Sequence, residues 1–282
     1  MSGSGSPTVR RRELGARLRE LRAARGWTVE QVAEQLQFSP SKVSRLENGL
    51  RGVSARDIRD LCDLYDVQGE RRQQLTDLAA EGKQRAWWQS RELPYSTYVG
   101  LEADAATISD FGLGLIPGLL QTEDYARAVL TAIHPQLTAD VIDQRLDGRL
   151  ERQQVLTSAS RPEFEAVIDE GVLHRVGGSR AIMRAQLEHL LTALEAPNIR
   201  IWVVPYEVGI LPVPNNKFII LSFREPTVPG VVFIEGLTGD LYLGPGDGLA
   251  EYEEAFGAMR AMAATLEASR LMISTTAESM TG

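Results

Sequence analysis

Leu14, Leu18 and Leu21 fall at i, i+4 and i+7, one face of a helix that Gly26 ends. Thr28 then opens T-x-x-Q with Gln31, a capping box in which paired side chains satisfy the first free amides of a second helix. Val32, Ala33 and Leu36 form the apolar face of that short helix, and Gln37-Phe38 makes a tight connection. Ser39 reads as an N-cap with Pro40 at the first helical position, where the missing N–H is not needed. The third helix offers only Val43 and Leu46 as large apolar residues before Asn48-Gly49 stops it. Ser54-x-x-Asp57 is a second capping signal, followed by a fourth helix on Ile58, Leu61, Cys62 and Tyr65. Leu75, Leu78 and Ala79 indicate a fifth.

Beyond residue 83 the periodicity becomes mixed. The segment Lys83–Tyr98 lacks the Gly/Ser/Pro content of a flexible tether, and Trp87-Trp88 argues that it docks. Leu101–Phe111 reads as helix, Ile116-Pro117-Gly118 as a break, and Thr122 with Glu123 and Asp124 as a helix start with acids against the positive dipole end. Thr138–Leu156 is a long charge-rich helix, and Ser179–Leu194 carries Met183, Leu187, Leu190, Leu191 and Leu194 on one face. Strands are expected at Phe164–Leu173, Ile199–Val204, Phe218–Phe223, Val231–Glu235 and Leu241–Leu243, the last two flanking a hairpin signal at Thr238-Gly239-Asp240. A final amphipathic helix spans Leu249–Ser269, with Tyr252, Phe256, Met259, Ala263 and Leu266 in register. The resulting architecture is an all-α, five-helix domain over residues 10–82, a docked linker over 83–98, and a larger α+β domain with a mixed sheet of four or five strands over 99–272.

Two short helices joined by a three- or four-residue turn inside a helical bundle have the geometry of a helix-turn-helix. The third helix has little apolar surface to bury. Its outward face is Pro40, Ser41, Lys42, Ser44 and Arg45, all small or basic. Ser and Arg donate to base-edge acceptors, and Arg matches guanine in the major groove. By charge, Arg17, Arg22, Arg25, Lys42 and Arg51 are phosphate candidates or a solvated face, and Arg10, Arg11 and Arg12 read as an arm over the backbone or minor groove. Glu47 is expected to pair with a nearby arginine or cap a loop, and Cys62 to be a small core residue.

The stretch TVEQVAEQLQFSPSKVSRLENG, Thr28–Gly49, resembles the Xre/phage-repressor family, through its VAxxL second helix and its SRLENG close. The resemblance covers about residues 12–80 and implies a lambda-repressor-like fold. It also implies that Ser39, Pro40, Ser41 and Arg45 read bases, that Ser44 reaches a base or a phosphate, and that Thr28 and Asn48 anchor phosphates. Pro40 departs from the long amide found early in this helix in the family; it offers a base no more than apolar contact with a thymine methyl.

Charge sharpens this picture. Residues 1–56 hold 11 Lys/Arg and 5 Asp/Glu, a balance of +6, whereas the rest of the chain carries −14, for a net charge of −8. A basic front on an acidic body suits a chain that meets a polyanion at one end only. With 282 residues, 43% hydrophobic and 24% charged, the chain has the composition of a globular protein of one large or two modest domains. No apolar run approaches 18 residues and no secretory h-region follows the first residues, so no membrane partner and a cytoplasmic location are expected. One cysteine excludes an internal disulfide framework.

The strings WWQSRELPYSTYVGLEADAATISDF, IPGLLQTEDYARAVL, VIDEGVLHRVGG and IRIWVVP resemble the C-terminal domain of unknown function carried by many actinomycete Xre-type regulators, the WhiJ-like group. That resemblance implies a DNA-binding regulator encoded beside a small partner protein, as in a toxin–antitoxin pair. It supplies no reaction. His134, His174 and His189 stand in no zinc-ligand spacing, and no P-loop or hydrolase triad is present, so no cofactor, metal or catalytic residue is expected. Glu165, Asp169, Glu170, His174 and Glu235 are the one carboxylate-rich set that suggests a magnesium-dependent nuclease. Trp87, Trp88, Leu119, Leu120 and Tyr125 form a candidate ligand or partner surface, with core packing as the competing reading. The expected partners are double-stranded DNA bearing a pseudo-palindromic operator, a second copy of the chain, and a small neighbour-encoded protein. The competing functions are an antitoxin-like interaction module that regulates its own gene, and the nuclease.

Overall fold

A computed structural model describes residues 6–84, 96–212 and 216–280. The chain divides into two compact units. The first ends at Asp104 and also takes in residues 223–229; the second begins at Ala105. Residues 85–95, with Trp87, Trp88 and most of the expected linker, lie outside the described residues.

The first unit contains α1 (Pro7–Ala24), α2 (Val29–Leu36), α3 (Pro40–Glu47), α4 (Ala55–Leu64), α5 (Gly69–Glu81) and α6 (Ser96–Glu102). Its helix starts follow the capping chemistry of the sequence. Thr28 and Gln31 form the reciprocal box, Ser39 accepts from the Lys42 amide, and Ser54 accepts from the Asp57 amide. Leu14, Leu18, Val32, Val43, Leu46, Ile58, Leu61 and Leu75 join in one core, each at most 2% exposed. Cys62 is buried among them, and burial pushes its thiol up. α1 passes very close to the end of α3: a Cβ on Gly15 would stand 2.5 Å from the Glu47 carbonyl oxygen. Gly49, at φ +67°, completes the approach, because a Cβ there would lie 2.7 Å from the Arg12 Cα. Arg10, Arg11 and Arg12 are not an arm. They belong to the first turns of α1, where Arg12 is buried and Arg10 pairs with Glu13 and Glu81.

The second unit contains β1 (Ala105–Gly112), α7 (Glu123–Ile133), α8 (Ala139–Gln153), β2 (Glu163–Asp169), α9 (Gly171–His174), α10 (Arg180–Ala193), β3 (Ile199–Val204), β4 (Phe218–Phe223), β5 (Val231–Ile234), β6 (Leu241–Leu243), α11 (Leu249–Met262) and α12 (Leu266–Ser279). Six strands, rather than the four or five expected, form one mixed sheet in the order β3-β2-β1-β4-β5-β6. β1, β2 and β3 run parallel, in the register Ile108–Phe164–Ile199, and β4, β5 and β6 are antiparallel. Phe111, Val167, Val204, Phe218, Ile220 and Val232 pack with Phe256 and Met259 of α11. α12 lies against β3, and α10 against α12.

Three local expectations are corrected. Leu101–Phe111 is not one helix: α6 ends at Glu102 and β1 begins at Ala105. Its alanines favour helix locally, but the segment is the strand between β2 and β4, and ladder pairing overrides propensity. The strand expected to reach Leu173 ends at Asp169, where the Oδ1 of that residue accepts from the Gly171 amide at 2.8 Å and turns the chain into α9. The final helix is two. Ala263 takes extended backbone and Thr265 caps a new helix by accepting from the Ala268 amide. The break has a use at the sheet edge: the Ala264 amide donates to the Val203 carbonyl at 2.9 Å, and the Val203 amide donates to Ser269 Oγ at 3.0 Å.

Candidate nucleic-acid interface

α2 hands over to α3 through Gln37, whose left-handed backbone at φ 55° tightens the turn. The Phe38 amide closes it by donating to the Ala33 carbonyl at 2.8 Å. α3 then splits cleanly by face. Val43 and Leu46 are each 2% exposed and point into the core. Ser39, Pro40, Ser41 and Arg45 are exposed, and Ser44 is half-buried beside them. Ser39 Oγ and Ser41 Oγ are 3.1 Å apart, and Arg45 Nε donates to the Ser41 carbonyl at 3.2 Å. The Arg45 side chain therefore lies back along the helix toward its N-terminal end.

The back of α3 is held by side chains from α1. Arg22 reaches both oxygens of Glu47, at 2.7 and 2.8 Å, and donates a further bond to the Trp27 carbonyl at 2.8 Å. Arg19 approaches Glu47 at 3.8 Å and donates to Asn48 Oδ1. Arg12 donates to the Asn48 carbonyl at 3.2 Å. Burial, with the nearby Arg19 charge, pushes the Arg12 guanidinium down to about 10. Cations at the carbonyl end of a helix also oppose its negative pole. The expected Glu47–arginine pairing is thus present. Arg12 and Arg19, which charge counting alone could not separate from surface arginines, belong to the same clamp. Gly15 and Gly49 allow the close backbone approach that the clamp needs.

The phosphate candidates divide in the same way. Arg22 and Asn48 face the clamp. Lys42 turns toward α4, donating to Asp57 Oδ1 at 2.8 Å, with its ammonium 3.3 Å from the Phe38 ring centroid. Burial pushes the Asp57 carboxyl up, but the bonds from Lys42 and Ser54 outweigh it and hold the group below its ordinary 3.8. Arg25 is exposed, donates to the Tyr65 carbonyl, and lies 5.9 Å from the Trp27 ring centroid. Thr28 is exposed at the start of α2, and Arg51 is exposed just beyond Gly49.

In the second unit, Leu119, Leu120 and Tyr125 are buried in the core rather than set out at the surface. They are 6%, 1% and 0% exposed. Buried amides fasten their loop: Gln186 accepts from the Thr122 amide and donates to the Leu120 carbonyl, both at 2.7 Å, and Gln121 donates to the Ile116 carbonyl at 2.7 Å. The stretch is packed core, with the Ile116, Gly118, Leu120 and Gln121 carbonyls each accepting from a glutamine side chain.

The carboxylate set forms no shared site among the described residues, although Asp169, Glu170 and His174 lie near one another. Glu165 is paired with Arg200 and Arg260, Asp169 is spent on its own turn, and Glu170 accepts from the Tyr206 amide at 2.8 Å beside His174. Among the described residues no group of three His, Cys, Asp or Glu side chains is placed to hold a metal ion. No helix among them is long and apolar enough to cross a membrane.

Residues 13–75 match a family model described as a helix-turn-helix domain. Residues 95–275 match one described as a domain of unknown function, DUF5753. No curated protein and no solved structure matches the chain.

Proposed function

The chain belongs to the DUF5753 family, and from that and its helix-turn-helix domain we propose that it is a sequence-specific, non-enzymatic regulator that lays α3 in the major groove of double-stranded DNA. One observation carries the reading: the face of α3 away from the core is bare, and it bears Ser39, Pro40, Ser41, Ser44 and Arg45 with no acidic side chain among them. Arg45 reads guanine, the serines donate to base-edge acceptors, and Pro40 contacts a thymine methyl. Thr28, Arg25 and Arg51 hold phosphates around this face. Arg22, Lys42 and Asn48 act from behind, fixing how α3 is presented.

The second unit dimerises the chain, setting two reading heads about 34 Å apart on a pseudo-palindromic operator. Sensing a ligand or a small neighbour-encoded protein falls to the same unit, on the strength of its resemblance to the regulators of that group. The test is selection of the full chain against a pool of random duplexes. An enriched, two-fold related sequence is the expected result, bound with an affinity that falls steeply as salt rises. A pool with no enriched sequence overturns the reading.

A further inference from the structure

We infer that residues 96–104, which the DUF5753 match counts within the domain of unknown function, are a working part of the DNA-binding unit: α6 and Asp104 latch the start of α1, and through α1 they set the seat of α3. The inference rests on the reading of α3 given above.

The need for a latch is written in the charges. α1 carries Arg10, Arg11 and Arg12 near its N-terminus, and no acidic residue in its first turn. Three cations at the positive pole of an 18-residue helix oppose its dipole. Glu13 and Glu81 answer Arg10, and further compensation at the helix start comes from far along the chain. The Ser6 amide, at the N-cap, donates to Asp104 Oδ2, and Ser6 Oγ donates to the Gly100 carbonyl at 3.0 Å. The same hydroxyl accepts from the Val9 amide at 3.4 Å, so one side chain closes the helix end and ties it to α6. Thr8 and Val9 are buried, as are Tyr98, Val99 and Leu101 of α6. Within α6, Tyr98 Oη donates to Glu102 at 2.6 Å, fixing the last turn that leads into Asp104.

The other end of the lever is the clamp on α3. Gly15 abuts the Glu47 carbonyl, and Arg12, Arg19 and Arg22 hold Glu47 and Asn48. α1 is one continuous helix between latch and clamp, so a loosened start frees the groups that brace α3. The helix-turn-helix match, residues 13–75, contains neither Ser6 nor α6. Asp104 is followed at once by Ala105, the first residue of β1, so the latch stands where the chain passes from one unit to the other.

The experiment compares the full-length wild type with Asp104→Ala, Asp104→Asn and Ser6→Ala by hydrogen exchange over α1, α3 and α10, and by affinity for the selected duplex. In Asp104→Ala and Ser6→Ala, exchange at Val9 and Arg10 rises roughly five- to ten-fold, the scale of a lost N-cap. The end of α3 loosens with it, and α10 does not change. Asp104→Asn keeps an oxygen acceptor and restores most of the protection. Duplex affinity falls in Asp104→Ala with an unaltered salt slope, because Asp104 meets no phosphate. Wild-type exchange over α1 and α3 in Asp104→Ala overturns the inference, and so does equal loosening of α10. If no duplex binds the wild type, the DNA reading falls, and the exchange arm still decides the latch.

Discussion

Arg22 grips Glu47 through two parallel contacts, Nε to Oε1 at 2.7 Å and Nη2 to Oε2 at 2.8 Å, with only 3% of the Glu47 side chain exposed. A bidentate guanidinium–carboxylate pair is both directional and strong. It joins the middle of α1 to the last residue of α3. Removing Arg22 leaves a buried carboxylate with only the longer contact to Arg19. Arg22→Ala is therefore expected to destabilise the N-terminal unit by about 3 kcal/mol. Hydrogen exchange of its core amides across a urea series measures this. Its salt slope for DNA binding stays at the wild-type value, because Arg22 spends its donors inside the protein. A slope reduced by about one would instead mark it as a phosphate contact.

Arg45→Ala tests the reading face itself. Arg45 is exposed, and among the described residues its side chain bonds only to the Ser41 carbonyl of its own helix, so its loss costs the fold little. Discrimination between the selected duplex and a scrambled one is expected to drop by about 1–3 kcal/mol. Competition mobility shifts measure that difference directly.

Gly15→Ala reverses the usual rule for helices. Alanine in place of glycine inside a helix ordinarily stabilises by up to about 1 kcal/mol. Here the new methyl lands 2.5 Å from the Glu47 carbonyl oxygen and 2.6 Å from that of Leu46. α1 and α3 must part, and a net loss of about 1–3 kcal/mol is expected, as for overpacking elsewhere. Thermal melting of the N-terminal unit checks the sign.

Most of the first unit could be read from the chain because its instructions are local. Thr28, Ser39 and Ser54 each cap the helix they precede, and Leu14, Leu18 and Leu21 line one face within a few residues of one another. What escaped reading is non-local. The chain pointed to an arginine for Glu47 but not to which one: Arg22 lies 25 residues away, and Arg12 reaches Asn48 across 36. The Ser6–Asp104 bond spans 98 residues. β1 was hidden because its alanines and short length fit a helix, and only its neighbours in the sheet make it a strand. The apolar run at Leu119-Leu120 was ambiguous for a related reason. Gln186, 66 residues away from its Leu120 and Thr122 partners, decides that it is core.

The Lys42–Asp57 bond ties the starts of α3 and α4 and gives the unit an acid-side dependence. The Asp57 carboxyl is held below its ordinary 3.8, so the folded state favours the ionised form more than the unfolded chain does. That stabilisation is fully present above 3.8 and is lost as pH falls through the lower folded value. Asp57→Asn is expected to flatten the decline in stability below about pH 4 and to leave stability near pH 7 lower than in the wild type. Urea midpoints taken from pH 7 down to pH 2 show whether the two curves converge.

Tyr65 offers a substitution that costs nothing. Its side chain is 1% exposed, its hydroxyl finds no hydrogen-bond partner among the described residues, and burial with the Glu47 charge pushes the phenol up to about 12. A buried donor without an acceptor is a liability, and phenylalanine removes it while keeping the ring beside Trp27. Tyr65→Phe is expected to match or exceed wild-type stability, within about 1 kcal/mol. A loss of several degrees in melting temperature would contradict this.

Where Val203 meets Ala264 and Ser269, the sheet is closed to newcomers. An incoming strand would find both Val203 groups already taken, so at this rung the border resists the edge-to-edge stacking that seeds fibrils.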